Sequence, residues 1–167
     1  MNMFKRCVGR VGFVGTVLLS SLFGSPLHAE EYGSIYFYGY LKHADPKPTA
    51  HEGGMDLFGL SKELHSGPYQ FDTGIKTYVD TYGKRSYAIF SNVSHENFRY
   101  GLFTPMLGLT CTYKGEDYGS DKMRVYCLPL PVLRIGEKKG LFADLSALPH
   151  VGHYTNGWAS LELGVKW

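Results

Sequence analysis

The stretch that decides the fold is the last ten residues, Trp158-Ala-Ser-Leu-Glu-Leu-Gly-Val-Lys-Trp167. Ala159, Leu161, Leu163, Val165 and Trp167 fall on one face of an extended strand, and Ser160, Glu162, Gly164 and Lys166 on the other. Alternation of period two means that one face meets a nonpolar medium and the other does not. A strand of a soluble sandwich alternates in the same way, so this pattern alone leaves two architectures open.

The opposite end of the chain separates them. Lys5, Arg6 and Arg10 precede or open an apolar run from Val11 to Phe23, and Ser25-Pro-Leu-His-Ala29 follows before two glutamates. This order predicts a signal peptide over 1–29, cut after Ala29, because the apolar run is shorter than the roughly 20 residues a helix needs to span hydrocarbon. Residues 30–167 then form one domain. Removing the three leader cations leaves 14 basic residues against 15 acidic ones, and a net charge near −1 gives no support to a nucleic-acid partner. The chain carries 13 Tyr and 21 Gly, with no later segment apolar enough for a membrane helix, which points to a β-protein. A secreted chain that ends on an aromatic residue straight after an amphipathic strand reads as an outer-membrane barrel.

Eight strand-like runs follow the leader, approximately Ser34–His43, Met55–Leu64, Tyr69–Thr81, Arg85–Val93, Phe98–Tyr113, Met123–Arg134, Gly140–Leu148 and Trp158–Trp167. Loop-forming compositions separate them, such as His65-Ser-Gly-Pro and Gly136-Glu-Lys-Lys-Gly. Most runs reach the roughly 9–11 residues of a tilted membrane strand, so the expected fold is an all-β, eight-stranded antiparallel transmembrane β-barrel. In the first run Ile35, Phe37, Gly39, Leu41 and His43 share one face, and Tyr36, Tyr38 and Tyr40 the other, so the interior is expected to be partly greasy. In the third run Asp72, Gly74, Lys76, Tyr78 and Asp80 are expected to face inward.

With the N-terminus in the periplasm, odd runs lead outward, and His43 meets Asp80 and Thr81 at the cell-surface rim. A histidine, a carboxylate and a hydroxyl are the ingredients of acyl transfer, although all three are also ordinary residues at strand ends. Cys111 and Cys127 lie about equally far from Gly119, across one hairpin, in a folding route that permits a disulfide. The loop histidines His51, His65, His95, His150 and His153 have no cysteine or carboxylate partners at ligand spacing, so no metal or cofactor is expected. Pro105 is expected to mark a bulge.

The stretch Val125-Tyr-Cys-Leu-Pro-Leu-Pro-Val-Leu133, then Ala147-Leu-Pro149 and Tyr154-Thr-Asn-Gly157, resembles the lipid A palmitoyltransferases of the PagP type. Glu96-Asn-Phe98, Phe58-Gly-Leu-Ser61 behind Gly53-Gly54, and Ile35-Tyr36 ahead of His43-Ala44 fall in the order of that family. The resemblance implies a hydrocarbon slot in the outer half of the barrel and transfer of an acyl chain from a phospholipid to lipid A by a monomer in the outer membrane. It places the catalytic positions at His43, Asp80 and Thr81, where the family has an Asp-Ser pair. Pro129, Pro131 and Pro149 match the prolines beside one lateral gap. Tyr38 stands at the family's proline of the first run, and no proline precedes Gly53. Ser91, with Asn92 next to it, falls where the family has the glycine that floors the slot, which implies a chain somewhat shorter than palmitate. In the implied mechanism His43 is the general base, Asp80 orients it, and Thr81 donates a hydrogen bond near the oxyanion. The rival functions are a non-enzymatic small barrel acting in adhesion or membrane integrity, and a lipid A deacylase.

Overall fold

Between Arg85 and His95 every second side chain turns inward: Ser86, Ala88, Phe90, Asn92 and Ser94 are buried, while Arg85, Tyr87 and Ile89 are exposed. Small and polar residues on one face and large apolar ones on the other give a strand that can line a narrow lumen and present a greasy outer wall. The computed structural model describes residues 31–43, 53–115, 122–151 and 155–167. The expected signal peptide lies outside them.

The strands are β1 (Tyr32–His43), β2 (Gly53–Gly54), β3 (Phe58–Ser66), β4 (Tyr69–Val79), β5 (Arg85–His95), β6 (Phe103–Gly115), β7 (Met123–Gly136), β8 (Gly140–Val151) and β9 (Thr155–Lys166). Each pairs antiparallel with its neighbour in the wall, and β1 closes the ring on β9. β2 and β3 both pair with β1 and form one stave, so the barrel has eight. Closure removes the edges that an open sheet would expose. Among the described residues no helix is long and apolar enough to cross a membrane, which says nothing about strands that cross. The outer wall displays Phe58, Leu60, Ile75, Ile89, Leu107 and Val125, all exposed.

Several boundaries differ from the sequence reading. The second run is interrupted at Met55–Leu57, where Met55 accepts a bond from Val79 N and donates one to Gly39 O, and Met55 and Leu57 turn inward as core residues. The fifth run starts at Phe103, because Glu96–Phe98 form a 3-10 turn and Tyr100 and Phe103 exchange backbone bonds around Gly101. In the first run a register shift between Tyr36 and Tyr38 changes the face. Tyr36 is fully buried and Phe37, Tyr38 and Tyr40 are exposed, so Ile35 and Phe37 do not share the inward face of His43. An extra residue in one strand moves every later side chain to the other side of the pleat. Pro105 is no bulge: the β6–β7 register runs through Pro105↔Leu133 without a shift, and the β5–β6 ladder has already ended at Leu107.

Half of the lumen is filled by charge. Arg134 on β7 donates from Nε to Asp144 Oδ1 at 2.7 Å and from Nη2 to Asp144 Oδ2 at 2.8 Å, to Asp72 Oδ2 at 2.5 Å and to Tyr36 Oη at 2.8 Å. Asp72 sits on β4 and Asp144 on β8, on opposite walls, so the guanidinium ties the barrel across its bore. Nearer the end that carries Trp167, Lys166 bonds Glu63 at 2.9 Å, and Gln70 and His65 add bonds to the same carboxylate. Tyr36 packs edge-on against Phe90 and Phe142 above this network. Gly164 makes room, since a Cβ there would meet the Phe142 ring at 2.4 Å.

Cys111 and Cys127 face each other on β6 and β7 and form a disulfide. Cross-linking residues 16 apart lowers the entropy of the unfolded chain by an amount equivalent to roughly 3 kcal/mol.

Two outcomes follow. In detergent the protein gives a β-rich circular dichroism spectrum and a gel mobility that shifts on heating; a helical spectrum would refute the fold. Arg134→Ala strands Asp72 and Asp144 without a counter-charge, and costs about 3–5 kcal/mol, read as a lower urea midpoint for the mobility shift. Adding Asp72→Asn and Asp144→Asn recovers part of that loss.

Candidate functional site

Above the plug the lumen widens into a cavity of about 150 Å³. Its walls come from the inward faces already set by alternation: Leu41 and His43 on β1, Ala88 and Asn92 on β5, Thr110, Thr112 and Lys114 on β6, Leu128, Leu130 and Val132 on β7. Met55, Tyr78 and Trp158 add apolar surface. Towards the plug the floor is polar. Lys76 forms an ion pair with Glu162 and holds its ammonium 4.1 Å from the ring centroids of both Tyr36 and Phe90.

His43, Asp80 and Thr81 all line this cavity. Asp80 and Thr81 are 3% and 8% exposed, and His43 is half-buried. The expected bond between Asp80 and His43 is absent from the set that Asp80 makes. Its Oδ1 accepts from Tyr82 N and Lys84 N, both at 2.9 Å, and its Oδ2 accepts from Ser86 Oγ at 2.9 Å and Gly115 N at 3.0 Å. The carboxylate therefore organises the β4–β5 turn, where Gly83 takes a φ of 74° and its N–H returns to Asp80 O. The same turn carries Thr81 into the cavity wall.

Ser91 is not the floor. Odd positions of β5 face outward, and Ser91 Oγ bonds Thr73 Oγ1 at 2.9 Å on the outer wall. Asn92, one residue on and 3% exposed, points inward and lines the cavity, with Oδ1 packed against Gly108. A displacement of one residue inverts a strand side chain, which is why the neighbour takes the position.

The three prolines flank a break in the wall. β7 pairs with β8 only from Val132↔Ser146 to Gly136↔Phe142, so Met123–Pro131 and Ala147–Val151 carry no pairs with each other. Pro129 and Pro131 lie in the length of β7 beyond its ladder with β8, and Pro149 in the matching length of β8. Proline has no N–H to offer a neighbouring strand. The same length of β7 supplies Tyr126, Leu128 and Leu130 to the cavity wall, so the break and the cavity adjoin. Lys114, Lys76 and Glu162 are site residues that the sequence reading does not single out, and Asn92 is its second choice for the floor. The inward parity of each run is the sequence signal that points to them. Among the described residues no cluster of His, Cys, Asp and Glu could hold a metal ion.

No family model matches the chain, and no curated protein does. Among solved structures it is similar to the N-terminal β-barrel domain of Pseudomonas aeruginosa OprF, at 14% identity over 81% of this chain and 97% of that one, with a TM-score of 0.45. It is also similar to Neisserial surface protein A, at 12% identity over 81% of this chain and 94% of that one, TM-score 0.45. At these scores the likeness assigns no function.

The break has a direct readout. Hydrogen exchange in detergent is expected to be at least about ten-fold faster for half of the amides in 123–131 and 147–149 than for those in 132–136 and 142–146, since unpaired N–H groups open without breaking the ladder. Uniform protection along β7 and β8 would close the gap.

Proposed function

We propose that this protein is an outer-membrane acyltransferase that moves an acyl chain from a phospholipid to lipid A. One observation carries the reading: the break between β7 and β8, flanked by Pro129, Pro131 and Pro149, adjoins a cavity whose wall holds His43 and Thr81. A closed barrel with an apolar outer wall belongs in a bilayer. A lateral opening gives a lipid chain a path from that bilayer into the lumen. His43 takes the proton from a lipid A hydroxyl, the oxygen attacks the ester carbonyl, and the lysophospholipid leaves with a proton. Thr81 donates to the developing oxyanion, and Asp80 acts as a positioning residue through the turn that holds Thr81.

The cavity also bears on chain length. A space of about 150 Å³ holds one benzene in an engineered core, so the slot as it stands takes a segment of roughly that size. Asn92 and the Lys76–Glu162 pair put polar atoms where a longer chain would end. The preferred donor chain is therefore shorter than palmitoyl. The second reading, a non-enzymatic barrel of the outer membrane, is favoured by the plug, which stabilises the fold across its bore without any substrate.

Mass spectrometry of lipid A from cells with and without the gene separates these readings: a gain of one acyl chain supports transfer, no change supports the structural barrel, and a loss indicates a deacylase. His43→Ala is expected to lower transfer by about 10²–10⁴-fold with the heat-shifted mobility intact, and Thr81→Ser to keep it. Asn92→Gly lengthens the chain transferred, whereas Ser91→Gly leaves it unchanged. An effect of Ser91→Gly on chain length would overturn the assignment of the floor.

A further inference from the structure

Three cations of the lumen are held in ion pairs. Arg134 is held by Asp72 and Asp144, Lys166 by Glu63, and Lys76 by Glu162. Lys114, near the end of β6 and in the wall of the cavity, makes no ion pair and no hydrogen bond among the described residues. Its ammonium stands 5.2 Å from the Tyr126 ring centroid. Among the described residues the acid that acts on it is Asp80, whose oxygens both accept bonds from its own turn, from Ser86 and from Gly115 N. The charge of Asp80 acts on the lysine through space, but these four donors hold the carboxylate in the turn and not in an ion pair with the ammonium. Beside it, Thr112 Oγ1 accepts from Tyr78 Oη at 3.4 Å, which leaves the threonine proton available to a ligand.

An ammonium in a half-apolar cavity is costly until an anion arrives. We propose that Lys114, assisted by the Thr112 hydroxyl, binds the phosphate of the phospholipid whose acyl chain occupies the cavity. Lys114 and Thr112 line the same cavity as His43 and Thr81, so a phosphate bound at the lysine holds the glycerol ester near the reacting groups. Lysine suits this role as a point charge on a flexible stem. The proposal rests on the acyltransferase reading for the identity of the lipid, but its test reads binding alone.

Trp158 lines the cavity and is a fluorescence reporter once Trp167 is replaced by Phe. The folded protein in detergent is titrated with dihexanoyl-phosphatidylglycerol, with a dihexanoyl glycerol that lacks phosphate, and with inorganic phosphate. Lys114→Gln is expected to weaken the phospholipid by about ten-fold or more and to leave the neutral lipid unchanged, while Lys114→Arg retains most of the affinity. Heat-shifted mobility confirms that each variant is folded. Equal weakening of both lipids, or none of either, would overturn the proposal. Inorganic phosphate binding as tightly as the phospholipid would overturn the lipid headgroup as the source of the anion. Should the parent bind phospholipid through Lys114 and yet transfer no acyl chain, the acyltransferase reading falls and the phosphate site stands.

Discussion

One guanidinium reaches across the barrel. Arg134 on β7 bonds Asp72 and Asp144 on opposite walls and Tyr36 between them, and this contact divides the lumen in two. Buried ion pairs contribute little net stability when compared with apolar replacements, but a pair left incomplete is severely destabilising. The network therefore specifies as much as it stabilises: β4, β7 and β8 have one relative position in which the forked donor meets both carboxylates. With the bore tied there, a continuous aqueous path is replaced by a floor, and the space above it becomes a cavity with one closed end.

What that cavity can do depends on the wall beside it. Hydrogen bonding between β7 and β8 ends at Val132↔Ser146, just where prolines begin to replace residues that could donate. On its other side β7 stays fully registered with β6 and is cross-linked to it through Cys127. The lip of the opening is thus attached along one edge and lies outside the β7–β8 ladder along the other. A lateral break of this kind does not weaken the barrel as a missing strand would, because the half of β7 that carries Arg134 keeps both of its neighbours.

Much of this was legible in the chain. Alternation in the last strand, the eight runs and the inward set of β4 follow from period two, and the position of Pro129, Pro131 and Pro149 beside an opening is what the resemblance implies. His43, Asp80 and Thr81 were placed at one rim by counting strand directions, and they line one cavity. The errors have local causes. A bulge near Phe37 exchanged the faces of β1 and has no sequence mark, since it arises from how neighbouring strands pair; the exchange of Ser91 for Asn92 comes from one residue of alignment, and the alternation of β5 itself marks Asn92 as inward. Asp80 was expected to orient His43, and its carboxylate is instead consumed by four donors of its own surroundings.

The sequence by itself determined most of the strand architecture, because which residues face outward and which face the lumen is written in the alternation of each strand wherever no bulge intervenes. Only the tertiary structure decided which inward charges meet. Arg134 and Asp144 face each other within the β7–β8 hairpin, but Asp72, 62 residues before Arg134, reaches them only when the ring closes. The same closure brings Lys114 to the cavity wall, where Asp80 acts on it through space while being held in its own turn. Pairing across a lumen is a property of the closed circle, and no single strand contains it.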